Sequence, residues 1–168
     1  MKRWWFAFVL LVGLGLARAG SQTVWGLEGA LRYPYGGPLP VWIFVDHRLQ
    51  NDDGATTDLF RFAVMPVPFA GVMGDAQYRR YFAPTSWAEG SAGGYWNVGW
   101  VGVSHDFGES GWWGLYAGLG YQWAFNPHLA ATLEGHLYPL NLLNGLTVPG
   151  SWGVLFSVGA KVGVSYTF

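Results

Sequence analysis

From Trp152 to the end of the chain, apolar residues occupy every second position: Trp152, Val154, Phe156, Val158, Ala160, Val162, Val164, Tyr166 and Phe168. Between them lie Gly153, Leu155, Ser157, Gly159, Lys161, Gly163, Ser165 and Thr167, which are small or polar except for Leu155. Side chains alternate faces along a strand, so the pattern predicts one long β-strand with an apolar face and a small-residue face. Two environments suit it. In a soluble sandwich the second face meets water and carries many charges. In a membrane barrel the apolar face meets lipid, and the second face meets a narrow lumen where small and hydrogen-bonding residues fit. Lys161 is the only charge on that face, which favours the barrel.

Composition bears on the same choice. Charged residues are 11% of the 168, against about 25% in soluble globular proteins, and a water-facing surface is hard to build from so few. After the N-terminus no run reaches the about 18 apolar residues of a spanning helix. Aromatic residues at 18%, 26 glycines and no long apolar run suit a membrane barrel, in which only alternate residues face lipid. The length fits one domain. With no cysteine, disulfides, thiolate metal sites and a lipidated N-terminal cysteine are excluded.

Lys2-Arg3, the apolar run Trp4 to Leu16 and Ala17-Arg18-Ala19 match a secretory signal with a small-x-small cleavage site. A membrane anchor is the competing reading, but the run is short for a span. The expected division is a signal peptide over 1–19 and a barrel over 20–168. Loss of Lys2, Arg3 and Arg18 takes the formal charge from -1 to -4. Arg79-Arg80 is the one adjacent basic pair after the leader, so no basic patch points to nucleic acid.

Extended segments separated by turn-rich stretches follow. The first, about 22–33, sets Trp25, Leu27, Gly29, Leu31 and Tyr33 against Val24, Gly26, Glu28, Ala30 and Arg32. The second, about 40–49, has Val41, Ile43 and Val45 against Trp42, Phe44, Asp46 and Arg48, with both faces starting apolar. The third, about 58–67, opposes Phe60, Phe62 and Val64 to Leu59, Arg61, Ala63 and Met65, and Pro66 and Pro68 end it. The fourth, about 75–83, places Asp75, Gln77 and Arg79 inward and Arg80 outward, where a charge is tolerated only near headgroups. In the fifth, about 95–107, the parity changes between Trp100 and Val101, which calls for a bulge near Gly99 or Gly102. The sixth, about 111–125, alternates Trp113, Leu115, Ala117, Leu119, Tyr121, Trp123 and Phe125 with Gly114, Tyr116, Gly118, Gly120, Gln122 and Ala124. The seventh, about 128–138, places Thr132, Glu134, His136 and Tyr138 on one face. A connection over 139–151 leads to the last strand. Eight antiparallel strands result, with both ends on one side.

Trp113 and Trp123 are ten residues apart, which at a tilt of roughly 40° spans about 25 Å, the height of a barrel's apolar band. Trp25, Tyr33, Trp113, Trp123 and Trp152 are the candidate aromatic girdle. The chain resembles the small outer-membrane β-barrels of the OmpA/OmpX type, particularly the opacity-protein-like group. Terminal Phe168 with Tyr166, Val164 and Val162 is similar to the signal read by the outer-membrane assembly machinery. Gly114-Leu115-Tyr116-Ala117-Gly118-Leu119-Gly120-Tyr121 is similar to a Gly/aromatic strand of that group. The resemblance implies an outer-membrane location, membrane lipid and the assembly machinery as partners, a monomer, and no cofactor. One departure stands out. With periplasmic termini, 83–94 becomes a periplasmic turn and 108–110 an external loop, the reverse of the usual length bias.

The inward parity gathers Glu28, Arg32, Arg61, Glu134, His136 and Lys161, joined by Asp46, Arg48, Asp75 and Arg79. An eight-stranded barrel is filled by its side chains, and charges buried there must pair. Glu134 and Lys161, on consecutive strands, are an expected pair. The expected function is therefore a plugged envelope protein with a structural, envelope-integrity or surface-interaction role. The alternative enzyme is a lipid A deacylase or acyltransferase, with Glu134 and His136 as orienting carboxylate and base and Ser157 or Ser165 on the next strand. The His-x-Ser spacing of the deacylases is missing, since Phe107 follows His105 by two. Ser104-His105-Asp106 cannot form a triad, because strand neighbours face opposite ways. Other readings are a channel for small hydrophobic solutes, with Pro66, Pro68 and Gly71 interrupting the wall, and a soluble lipocalin-like binder. His128 and His136 lie about 26 Å apart along a strand, too far to share a metal.

Overall fold

The computed structural model describes residues 21–33, 41–50, 56–67, 71–85, 92–105, 110–148 and 157–168. They form a closed antiparallel barrel of eight strands in chain order: β1 (Ser21–Tyr33), β2 (Val41–Gln50), β3 (Thr56–Val67), β4 (Gly71–Thr85), β5 (Gly93–His105), β6 (Ser110–Ala124), β7 (Leu129–Leu137) and β8 (Val158–Thr167). Among the described residues one helix, α1 (Pro139–Thr147), lies between β7 and β8. The barrel closes where β1 pairs with β8, Leu27 facing Tyr166 and Tyr33 facing Ala160. Phe168 N–H extends the seam by donating to Trp25 O at 2.9 Å.

The registers determine how wide the barrel is. A path of directly facing residues runs from Ser21 through Leu49, Asp58, Arg80, Trp96, Leu119, Gly135 and Ala160 to Tyr33. One circuit thus climbs the whole of β1, a stagger of twelve residues. With eight strands about 4.7 Å apart and about 3.3 Å per residue, this stagger tilts the strands by roughly 45°. Tilt widens the wall, to roughly 17 Å across from backbone to backbone. It also shortens the ten-residue span from Trp113 to Trp123 to roughly 23 Å. Only long side chains meet across such a lumen, which accounts for arginine, glutamate and tyrosine inside.

Along the strands one parity is buried and the other exposed or half-buried, with His47 and Gly102 buried on the outward parity. The exposed parity carries Trp25, Leu31, Leu119, Leu133, Val162 and Tyr166, and the buried one carries Glu28, Arg61, Arg79, Glu134 and Lys161. A water-soluble barrel has the opposite arrangement. At the end opposite the termini the lumen is closed by an apolar cluster that includes Trp42, Phe44, Met65, Met73, Val101, Tyr116 and Tyr138.

That cluster corrects one expectation. No bulge lies near Gly99 or Gly102: β5 keeps a single register with both neighbours. Val101 is fully buried on the inward face, so both faces of β5 are apolar because the lumen itself turns apolar there. The same cap explains Trp42 and Phe44 at the start of β2. The irregularities fall instead between Leu49 and Gln50 and between Thr56 and Asp58.

Strand bounds also move. β4 extends at both ends to Gly71–Thr85, and β5 begins at Gly93, so the connection between them shrinks from 83–94 to 86–92. The expected length inversion narrows with these bounds but persists, since 86–92 is still longer than 106–109. β8 begins at Val158 rather than Trp152, and Trp152 to Phe156 lie outside the described residues. The 139–151 connection contains α1, with proline in its first turn, where the missing N–H costs no helical bond.

Candidate functional site: the charged lumen

Strand alternation sends Glu134 inward from β7, where it is 1% exposed. Its carboxylate is the best-connected group of the lumen. Oε1 accepts from Arg79 Nη2 at 2.6 Å and from the Tyr95 hydroxyl at 2.7 Å. Oε2 accepts from Gln77 Nε2 at 3.1 Å and Asn97 Nδ2 at 3.3 Å, and lies 2.8 Å from His136 Nε2. These donors come from β4, β5 and β7, so one carboxylate ties three strands together. Arg79 also donates from Nε to Gln77 Oε1 at 2.6 Å and lies 4.8 Å from the centre of the Tyr95 ring.

The remaining ions extend this centre across the lumen. Lys161 Nζ on β8 is 2.8 Å from Glu28 Oε2 on β1 and 3.9 Å from Glu134 Oε1. The expected pairing of Glu134 and Lys161 is present at 3.9 Å, and the shorter contact with Glu28 is an addition to it. Glu134 and Lys161 face each other in register, and the ammonium reaches further, across to β1. Glu28 Oε1 accepts from Arg61 Nη1 at 3.3 Å. Arg61 in turn grips Asp46 with Nε and Nη2, each at 2.7 Å, and covers the Phe44 ring at 4.1 Å. Asp46, Arg61, Glu28, Lys161, Glu134 and Arg79 thus form one chain of alternating charge through six strands. Nearer the apolar cap, Asp75 accepts from Arg32 Nη1 at 2.8 Å and from the Tyr116 hydroxyl at 2.7 Å.

Burying an ion costs several kcal/mol even after relaxation, and only dense hydrogen bonding offsets it. Presence of the network is therefore no measure of net stability, whereas removal of one member leaves its partners buried and unpaired. Lys161→Met is expected to destabilise less than loss of Glu134. Glu134 keeps its other donors and Glu28 keeps Arg61, so urea midpoints should rank wild type, then Lys161→Met, then Glu134 variants.

Glycines make room for the donors. Tyr95 faces Gly120 and Tyr116 faces Gly99 across β5 and β6. A Cβ on Gly120 would come within 2.5 Å of the Tyr95 ring. Gly120→Ala should displace Tyr95 from Glu134 and cost about 1–3 kcal/mol, as overpacking does, in urea unfolding of the refolded chain. No loss would mean that the ring is free to move.

All six inward residues singled out from the sequence, Glu28, Arg32, Arg61, Glu134, His136 and Lys161, are buried. Sequence reasoning missed the neutral donors Tyr95 and Asn97, which lie where the parity of β5 was obscured. It placed Gln77 and Tyr116 on the inward parity without counting them among the polar core. In the girdle, Trp25, Tyr33 and Trp123 are exposed on the outer wall. Trp25 and Trp123 lie near the end that carries the termini, and Tyr33 lies at the other. Trp113 belongs to β6, but its side chain is outside the described set, as is all of Trp152. Val162, Val164, Tyr166 and Phe168 are exposed along β8 and its end, with the Tyr166 and Phe168 rings 5.4 Å apart.

Glu134 and His136 do form a carboxylate–imidazole pair, but Glu134 is occupied by the strand-bridging donors. Ser165 Oγ is directed at Ala130 O, 3.5 Å away. A small cleft at the terminal end, with about 20 Å³ of room for water, is lined by Asp46, Arg48, Arg61, Gln122 and Ser165 among others, and by neither Glu134 nor His136. Among the described residues no group of three His, Asp or Glu side chains is placed to hold a metal.

Fold and site together define a closed eight-stranded barrel, apolar outside and crossed inside by an ion network. Comparison with protein-family models, with curated proteins and with solved structures finds no match to this chain.

Proposed function

We propose that this chain is an integral outer-membrane β-barrel of the small OmpA/OmpX, opacity-protein-like kind. In this reading residues 1–19 direct export, cleavage follows Ala19, and the lumen is a structural plug that neither conducts nor catalyses. The role that remains is structural, in envelope integrity or in contact at the surface. One observation carries the reading: leucine, valine and aromatic side chains cover the outer wall while the ions are buried. Hydrocarbon is the medium that makes such a wall stable, and closure leaves no strand edge without hydrogen bonds.

The one exposed arginine of the outer wall among the described residues fits this picture. Arg80 lies 3.7 Å from Asp58, which also accepts from the Tyr78 hydroxyl at 2.7 Å. Both charges lie towards the end that carries the termini, at the depth where headgroups begin. Phe168, Tyr166, Val164 and Val162 would present the assembly signal on the final strand.

The test is fractionation of cells that express the full chain. The protein should pellet with outer membrane, resist alkaline extraction, begin at Gly20 and migrate faster unheated than heated. Recovery in the soluble fraction would overturn the reading. Unchanged lipid A mass spectra with and without the gene, and the absence of single-channel steps, are the expected results against the enzyme and channel alternatives.

A further inference from the structure

The helix between β7 and β8 exposes three leucines and no charge, with the neutral polar residues Asn144 and Thr147 among them. From Pro139 to Val148 there is no charged residue. Leu140, Leu143 and Leu146 recur at every third position, along one stripe of the helix, and are 54%, 58% and 73% exposed. The side less exposed is formed by Asn141, Leu142 and Gly145, and α1 packs against β6. Three of the four leucines thus face away from the protein, with Asn144 and Thr147 beside them, while Leu142 lies on the less exposed side.

Its anchorage makes it continuous with the wall. The facing pair Leu137 and Val158, both exposed on the outer face, marks where the chain leaves and rejoins the barrel. Tyr138 N–H donates to Ser157 O at 2.7 Å and closes the base of this excursion. The Tyr138 ring turns into the apolar cap, 5.8 Å from the Tyr116 ring.

We propose that α1 is an interfacial segment whose Leu140, Leu143 and Leu146 enter the acyl-chain region of the membrane leaflet at the barrel end opposite the termini. The proposal rests on the membrane reading above. Lipid fits better than a second copy of the chain. A helix of nine residues is about 14 Å long and offers far less than the about 800 Å² per partner of a stable interface. A short helix with an apolar stripe lying in the interface plane is a known mode of membrane contact.

Because the chain has no cysteine, a single introduced thiol reports one position. Leu143→Cys, Leu119→Cys on the outer wall and Pro127→Cys in the turn at the terminal end are each labelled with a polarity-sensitive fluorophore. The full chain is then refolded into phosphatidylcholine vesicles with or without acyl-chain nitroxide lipid. The expected result is blue-shifted emission and nitroxide quenching at 143 equal to that at 119, with neither at 127. Quenching at 119 but not at 143 overturns the helix proposal alone. An unquenched 119 overturns the membrane reading itself. Label self-quenching at 143 that grows with protein density identifies a second copy as occupant and also overturns the proposal.

Discussion

Glu134→Ala is expected to cost about 3–5 kcal/mol of stability, the usual result of breaking a buried ion pair by removing one partner. The loss is large because the groups that converge on this carboxylate do not leave with it. Arg79, with a fully buried side chain, keeps its charge without the oxygen 2.6 Å away, and Tyr95 and Gln77 lose acceptors at 2.7 and 3.1 Å. Urea unfolding of the refolded chain reads the effect directly, and heat-modifiable mobility reports whether the barrel closes. Arg79→Met combined with Glu134→Leu should recover part of the loss, because an apolar pair leaves no uncompensated charge. A cost below about 1 kcal/mol for Glu134→Ala, within the range of ordinary substitutions, would show that the network carries no structural weight.

Leu119→Arg is the second large expectation, and it asks what medium touches the wall. Leu119 projects outward from β6 and is 63% exposed. On a protein in water, an arginine there changes stability by about 0.5 kcal/mol or less, as exposed substitutions do. Against hydrocarbon near the bilayer midplane it costs about 2–4 kcal/mol. Phe125→Arg, just past the end of β6 and 65% exposed, should cost about 0–1 kcal/mol, since the penalty fades towards the interface. Unfolding from phosphatidylcholine vesicles should reveal that gradient. Equal, negligible costs at both positions would sink the membrane reading, however completely the barrel closes.

The parts of the lumen that were legible beforehand are those where one side of the wall differs chemically from the other. In β1, β6, β7 and β8 charged, small and polar residues alternate with leucine, valine and tryptophan, so parity alone identifies Glu28, Arg32, Glu134, His136 and Lys161 as inward. In β2 and β5 that contrast fails. Trp42, Phe44 and Val101 belong to the apolar cap, and an apolar residue facing an apolar lumen cannot be told by its type from one facing outward. Partner choice was legible only in part, since the expected Glu134–Lys161 pair forms at 3.9 Å but the closer partner of the lysine was not foreseen. Glu134 and Lys161 are cross-strand neighbours, yet the ammonium lies closer to Glu28.

Alternation of residue type in β1, β6, β7 and β8, with turn-rich stretches between the segments, pointed to eight antiparallel strands with an apolar outside and a charged inside. That information is local, because the period of a strand is two residues wherever it occurs. The stagger of twelve, the apolar cap, the glycine seats for Tyr95 and Tyr116 and the pairing of the ions were decided only by closure. Joining β1 to β8 sets tilt and width together, and these bring side chains far apart in sequence to within 3 Å across the lumen.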